Sequence, residues 1–170
     1  MWKFTGKSRP EFAEEPGPGQ ESVWDYPRPP ALDPSDEQVE VRADGTPIAS
    51  SRRTLRVLET AGPPTYYIPE QDIDWSQLTE IAQTTYCEWK GHASYYALAS
   101  DPARVPVAWL YADPSDSFRA IDRHASFYPG RVECLVNGER VRPQPGEFYG
   151  GWITDRVVGP FKGEPGTGHW

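Results

Sequence analysis

Arg131-Val132-Glu133-Cys134-Leu135-Val136-Asn137-Gly138-Glu139-Arg140-Val141 is the stretch that decides the fold class. Its first six residues alternate at a period of two, the repeat of a strand with one buried face. Asn-Gly supplies two residues tolerant of positive φ for a tight turn, and Glu139-Arg140-Val141 returns. The same grammar recurs upstream. Val39-Glu40-Val41-Arg42 alternates, Asp44-Gly45 turns and Ile48-Ala49 comes back. Thr54–Thr60 alternates until Gly62-Pro63-Pro64 stops it, and Thr65-Tyr66-Tyr67-Ile68 is a short β-prone run closed by Pro69. Ala93–Leu98, Val107–Tyr111 and Ala125-Ser126-Phe127-Tyr128 are further ring-bearing runs. Helical signals are confined to a turn after Asp74 and another over Ser117–Arg123. Short strands separated by Gly, Pro and Asp predict an all-β fold.

Composition agrees. Of 170 residues, 37% are hydrophobic and 13% aromatic, with Pro 19 and Gly 15. That is a small, ring-rich core with much irregular chain. Three zones follow: a proline-rich arm over 1–36, a β domain over 37–142 and a Gly/Pro/aromatic arm over 143–170. Trp24 and Tyr26 in the first arm, and Phe148, Tyr149, Trp152, Phe161 and Trp170 in the second, are rings that a free tail would leave in water. Both arms are therefore expected to pack on the domain. The net charge of -8 argues against nucleic acid, which needs a basic face, and against an anionic membrane surface. No apolar run is long enough to span a bilayer and the N-terminus lacks a signal-peptide core. With two cysteines only, Cys87 and Cys134, a reduced, cytoplasmic protein is the expectation.

The densest chemistry lies in Thr84-Thr85-Tyr86-Cys87-Glu88-Trp89-Lys90-Gly91-His92-Ala93-Ser94-Tyr95-Tyr96. In a turn, Cys87 and Lys90 at i and i+3 meet. An ammonium beside a thiol favours the nucleophilic thiolate. The plainer reading makes Cys87 a small buried hydrophobe and lets Lys90 lay its stem along the surface. Cys134, in phase with Val132 and Val136, reads as core filler. His124 and Glu59 are candidate proton carriers, or else a hydrogen-bonded histidine and a strand-end carboxylate. The paired ligands of a structural zinc site are absent, so no metal site is assigned. No phosphate loop, dinucleotide fingerprint or hydrolase elbow is present, and the residues name no cofactor.

Taken together, several segments resemble the bacterial and fungal family catalogued as domain of unknown function 427. They are Ser51–Thr60, Pro63-Pro64-Thr65-Tyr66-Tyr67-Ile68-Pro69 with Asp72-Ile73, Thr85–Tyr96, Ala108-Trp109-Leu110-Tyr111 and His124–Tyr128. The flanks Val23–Pro30, Gly150-Gly151-Trp152 and Gly159-Pro160-Phe161-Lys162-Gly163 resemble a longer subtype. The resemblance implies a compact β-tent-like fold of two sheets with a pocket between them, in a group with zinc-binding and Cys-dependent members. The family carries no settled activity, although it is sometimes labelled a nucleotidyltransferase. Its pattern falls here on Glu59, Tyr67, Cys87, Lys90, Gly91, Tyr95 and Trp109. The sequence departs from it at Glu88, usually proline, and at His92, usually a small residue.

These readings converge on an aromatic-lined small-molecule pocket. Its candidate catalytic residues are Cys87, Lys90, His124 and Glu59, and its candidate ligand-binding residues are Tyr67, Trp89, Tyr95, Trp109 and Arg53. The alternative is a non-catalytic ligand-binding or interaction module. A homodimer with arms crossing between subunits is a further expectation.

Overall fold

The strand signals resolve into two main antiparallel sheets and two two-stranded pairs, Glu21–Ser22 with Val157–Val158 and Arg142–Pro143 with Trp152–Ile153, in a computed structural model that describes residues 1–146 and 148–170. In chain order the strands are β1 (Glu21–Ser22), β2 (Ala31–Ser35), β3 (Val39–Ala43), β4 (Thr46–Ser51), β5 (Thr54–Leu58), β6 (Thr65–Pro69), β7 (Leu78–Cys87) and β8 (Gly91–Leu98). They continue with β9 (Pro106–Leu110), β10 (His124–Phe127), β11 (Glu133–Val136), β12 (Glu139–Arg140), β13 (Arg142–Pro143), β14 (Trp152–Ile153) and β15 (Val157–Val158). The larger sheet has seven strands in the order β2-β5-β6-β10-β9-β8-β7, and the smaller has four in the order β12-β11-β3-β4. The helical segments are short 3-10 turns, the longest being Asp116–Ile121, so the class is all-β. Among the described residues no helix is long and apolar enough to cross a membrane.

The two turns that set the small sheet take the positive φ their sequences allow: 49° and 79° at Asp44 and Gly45, and 49° and 80° at Asn137 and Gly138. These are type I′-like turns, whose twist matches that of the strands they join. Across the large sheet, alternation assigns two faces. Tyr66, Ile68, Ala108, Leu110, Ala125 and Phe127 face the small sheet and meet Val39, Val41, Ile48, Cys134 and Val136. Cys134 is wholly buried there, and burial pushes its thiol well above the usual range. Residues of the other parity, Tyr67, Tyr95 and Trp109, gather on the far side with Tyr111, Phe118 and Ile121. Among the described residues, no second sheet covers this ring cluster. The Asp116–Ile121 segment contributes Phe118 and Ile121 to it, and the C-terminal chain meets Trp109 at Gly150.

The terminal segments form a third cluster of their own. Val23, Trp24, Tyr26, Ala61 and Val157 are buried together, with Phe4, Phe161 and Trp170 packed against them. β1 pairs with β15 in parallel, so the two ends of the chain hydrogen-bond to each other. One boundary differs from the sequence reading, which left 31–36 in the arm. Ala31–Ser35 pairs with β5 from Ala31↔Leu58 to Ser35↔Thr54 and makes the edge of the large sheet. An edge tolerates Pro34 because a missing N–H on the outer side breaks no ladder bond.

Candidate functional site

The β7–β8 hairpin positions the thiol and the amine. Cys87 pairs with Gly91, which leaves Glu88, Trp89 and Lys90 as a three-residue tip. Gly91 closes the tip at φ 100°, in the positive range that glycine adopts without a Cβ clash. Ser115 holds the tip down: its N–H donates to the Lys90 carbonyl at 3.2 Å and its hydroxyl to the Trp89 carbonyl at 2.5 Å. β7 carries two extra residues, Ala82 and Gln83, between Ile81↔Tyr95 and Thr84↔Ser94. An insertion of two keeps the parity, so Ile81 and Thr85 still face the rings. Thr85 Oγ1 and the Tyr95 hydroxyl accordingly stand 2.8 Å apart.

The rings beneath the tip form a connected wall. Tyr95 pairs with Trp109, and the Trp109 indole N–H donates to the Tyr67 hydroxyl at 3.0 Å. Tyr128 packs on Trp109 with centroids 4.6 Å apart, and Tyr111 lies 6.4 Å from Tyr67. Lys90 turns back over this wall, its Nζ 5.8 Å from the Tyr111 centroid and 5.9 Å from that of Phe118. Burial opposes the ammonium, but the fields of Tyr67, Cys87 and Glu59 outweigh it, and the amine is held above its usual range. Burial pushes the Tyr67 and Tyr111 phenols upward in turn. The wall therefore presents one fixed cation among its rings. Lys90 is suited to hold an anion and unsuited to take a proton.

The sequence led to an open, ring-walled hollow; here the rings meet one another. Tyr67 is 1% exposed and Trp109 7%, because the hydrogen bond between them closes the middle of the wall. Cys87, Trp89 and Lys90 remain half-buried at the mouth. Clefts open elsewhere: one of about 320 Å³ beside Arg42, Gly45, Arg131, Glu133 and Arg140, and one of about 380 Å³ beside Gln38, Ser50, Arg52, Arg53 and Asp72.

Glu59, just past β5, joins the mouth. It accepts from Arg28 Nε at 3.3 Å, and its charge acts on Lys90. Arg53 and His124 belong to a different group. Arg53 donates to both oxygens of Asp72 at 2.9 Å, an ion pair with the arginine 64% exposed. This pairing, ahead of a burial effect that opposes it, holds the Asp72 carboxyl below its usual range, and the charge of His124 adds to it. His124 Nδ1 lies 2.8 Å from the Asp122 carbonyl. Among the described residues, no group of three or more His, Cys, Asp or Glu side chains is placed to hold a metal ion.

A family model described as Domain of unknown function (DUF427) matches residues 31–138, more than half of the chain. The chain belongs to that family. No curated protein matches the sequence. The DUF427 match begins at β2 and ends in the Asn137-Gly138 turn, so it includes Glu59, Tyr67, Cys87, Lys90, Tyr95 and Trp109. Arg28, Gly150 and Lys162 lie outside it.

Several members of this constellation escaped the sequence reading. Tyr111 was visible as the residue two beyond Trp109 in an alternating run. Phe118 sat in a marked turn whose apolar side the sequence did not specify. Arg28 and Gly150 stand in irregular chain, where no periodicity exists to read. Yet Gly150 is sharply constrained. A Cβ there would come 2.3 Å from Trp109 Cη2 and 2.7 Å from Cζ3. The indole cannot move aside without breaking its bond to Tyr67. Gly150→Ala should therefore lower stability by about 1–3 kcal/mol, the usual cost of overpacking. A denaturant midpoint equal to that of the wild type would show that residue 150 does not bear on Trp109.

Proposed function

We propose that this DUF427 protein binds a small anionic molecule at the mouth of the ring wall, with Lys90 as its charge partner and the Cys87 thiol beside it. The observation that carries the reading is the company Lys90 keeps. Its ammonium lies over two aromatic rings, and the nearby Glu59 carboxylate is already engaged by Arg28. Burying part of a cation costs hydration, and an anionic ligand beside the ring-covered ammonium would offset that cost. The half-buried Cys87 gives the site a nucleophile, in contrast to the enclosed Cys134. A binding module without chemistry is the second reading. It is favoured by the placement of the proton carriers, since His124 lies against the Asp122 carbonyl while Glu59 is paired with Arg28.

Alkylation with matched neutral and anionic reagents separates these readings. Iodoacetamide and iodoacetate should both modify Cys87 before Cys134. Lys90→Met should slow the iodoacetate reaction about tenfold, equivalent to roughly 1.4 kcal/mol. A comparable fall with iodoacetamide identifies Lys90 as an activator of the thiol and favours the enzyme. A fall with iodoacetate alone favours the binding module. Unchanged rates with both reagents would remove Lys90 from the site.

A further inference from the structure

We propose that the cleft beside the β4–β5 turn binds a tetrahedral oxyanion, a phosphate group, through Arg52, Arg53 and Ser50. This site is separate from the Lys90 mouth and does not depend on it. The cleft holds about 380 Å³, within the range of small-ligand sites, and is lined by Gln38, Ser50, Ser51, Arg52, Arg53 and Asp72. None of these side chains is apolar, so the cleft suits a hydrophilic group rather than a ring or an alkyl chain.

Both sheets fix its walls. Asp72 follows β6 of the large sheet, and the chain just after it is tied to β4 of the small sheet. Ala49 pairs with Ile73, and the Asp74 N–H donates to the Ile48 carbonyl at 2.7 Å. Gln38 borders the start of β3, and its Nε2 donates to Ser50 Oγ at 2.9 Å. Neighbouring residues of a straight strand point to opposite faces. The chain bends at Arg52, between β4 and β5, and so Arg52 and Arg53 line one cleft.

The hydrogen bonds leave this cleft with donors in excess. Asp72 is its one carboxylate, and it accepts from Ser51 Oγ at 2.7 Å and from Arg53 Nε and Nη2 at 2.9 Å each. That carboxylate cancels the charge of Arg53 and is occupied on both oxygens. Arg53 Nη1 stays uncommitted, on a side chain that is 64% exposed. Arg52 is exposed and, among the described residues, pairs with no acid. Glu40, opposite Ser50 on β3, is taken by Arg42. Ser50 Oγ accepts from Gln38, which leaves its O–H to donate. Two guanidiniums against one carboxylate leave a positive charge in the cleft of a chain whose net charge is -8. Donors from two guanidiniums and a hydroxyl match an anion with three terminal oxygens better than a planar carboxylate.

Amide NMR titration of the full chain at constant ionic strength tests this with inorganic phosphate, glycerol phosphate and acetate. Phosphate should shift the Ser50, Arg52 and Arg53 amide signals to saturation, and acetate should bind more weakly. Arg52→Met should weaken phosphate about tenfold, the scale of one charge-assisted hydrogen bond, and Ser50→Ala should weaken it by a smaller factor. Both residues are exposed, so neither substitution should disturb the fold. Equal affinity for the two phosphates assigns the site to the free ion, and tighter binding of glycerol phosphate assigns it to a phosphate ester. Shifts that never saturate, acetate binding as tightly as phosphate, or an affinity unchanged in Arg52→Met would overturn the proposal. The Trp89 and Lys90 amides report the other site. A phosphate response confined to them would remove this cleft and leave the Lys90 reading standing.

Discussion

Replacing Arg56 with methionine should cost the fold about 3 kcal/mol, the lower end of the range for removing one partner from a buried ion pair. Arg56 is 2% exposed and sits at the centre of a network that ties three separate segments together. Its Nη1 donates to Glu21 Oε1 at 2.9 Å and its Nε to Asp33 Oδ2 at 3.0 Å. Tyr26 donates to Glu21 at 2.9 Å, and Arg156 reaches Glu37 at 2.7 Å. Methionine fills a similar volume and leaves Glu21 and Asp33 facing an apolar side chain. The lower end applies because those acids are 33% and 41% exposed and recover some hydration. Acid should reveal the same network. Burial raises the Glu21 carboxyl, but the hydrogen bonds and charge of Arg56 outweigh it, so Glu21 titrates below its usual range. A depressed carboxylate stabilises the fold above its unfolded pKa, about 4.3, and that contribution fades as pH falls through the folded value. Urea melts from pH 7 to pH 3 should show a shallower acid loss in Arg56→Met than in the wild type. Parallel curves with equal midpoints at pH 7 would mean that the network contributes nothing.

The sequence made the small sheet legible because its two hairpins are written in local chemistry: Asp44-Gly45 and Asn137-Gly138 each occupy positive φ between alternating runs. β7 was harder to read. It is the edge of the large sheet, its residues from Ala82 to Thr84 are all exposed, and the Ala82-Gln83 insertion interrupts its pairing. Exposure removes the apolar alternation by which a strand announces itself. β2 was hidden by proline for a related reason, since the rule that bars Pro34 from a sheet interior does not bar it from an edge. The site divides along the same line. Cys87, Lys90, Tyr67, Tyr95 and Trp109 come together through strand register and a three-residue tip, which are local and periodic properties. Arg53 and His124 were drawn to the pocket by their chemistry alone, yet Arg53 pairs with Asp72 and His124 lies against the Asp122 carbonyl. Arg28 reaches Glu59 through the folding-back of irregular chain, and no pattern in a sequence records where such chain returns.

Trp152→Ala is expected to have the other large effect, and it links the stability of the arm to the chemistry of the site. Trp152 is fully buried, the point at which the C-terminal arm enters the main core. Its ring stacks on Tyr66 with centroids 5.0 Å apart, its indole N–H donates to the Phe127 carbonyl at 2.9 Å and its backbone N–H to the Pro64 carbonyl at 2.8 Å. Truncation should cost about 3–5 kcal/mol, the range for a buried aromatic replaced by alanine. Trp152→Phe keeps the stack and loses the N–H, at about 1–2 kcal/mol including the carbonyl left without its donor. The site should respond as well. Gly150 and Gly151 immediately precede Trp152 and lie against Trp109 and Pro63. When the anchor goes, the strand β14 and the chain leading to Lys162 lose their hold on the ring wall. Alkylation of Cys87 should then quicken in Trp152→Ala, measured well below its melting temperature, while Trp152→Phe keeps the wild-type rate. A folded Trp152→Ala protein that kept the wild-type alkylation rate would show that this anchor does not bear on the site.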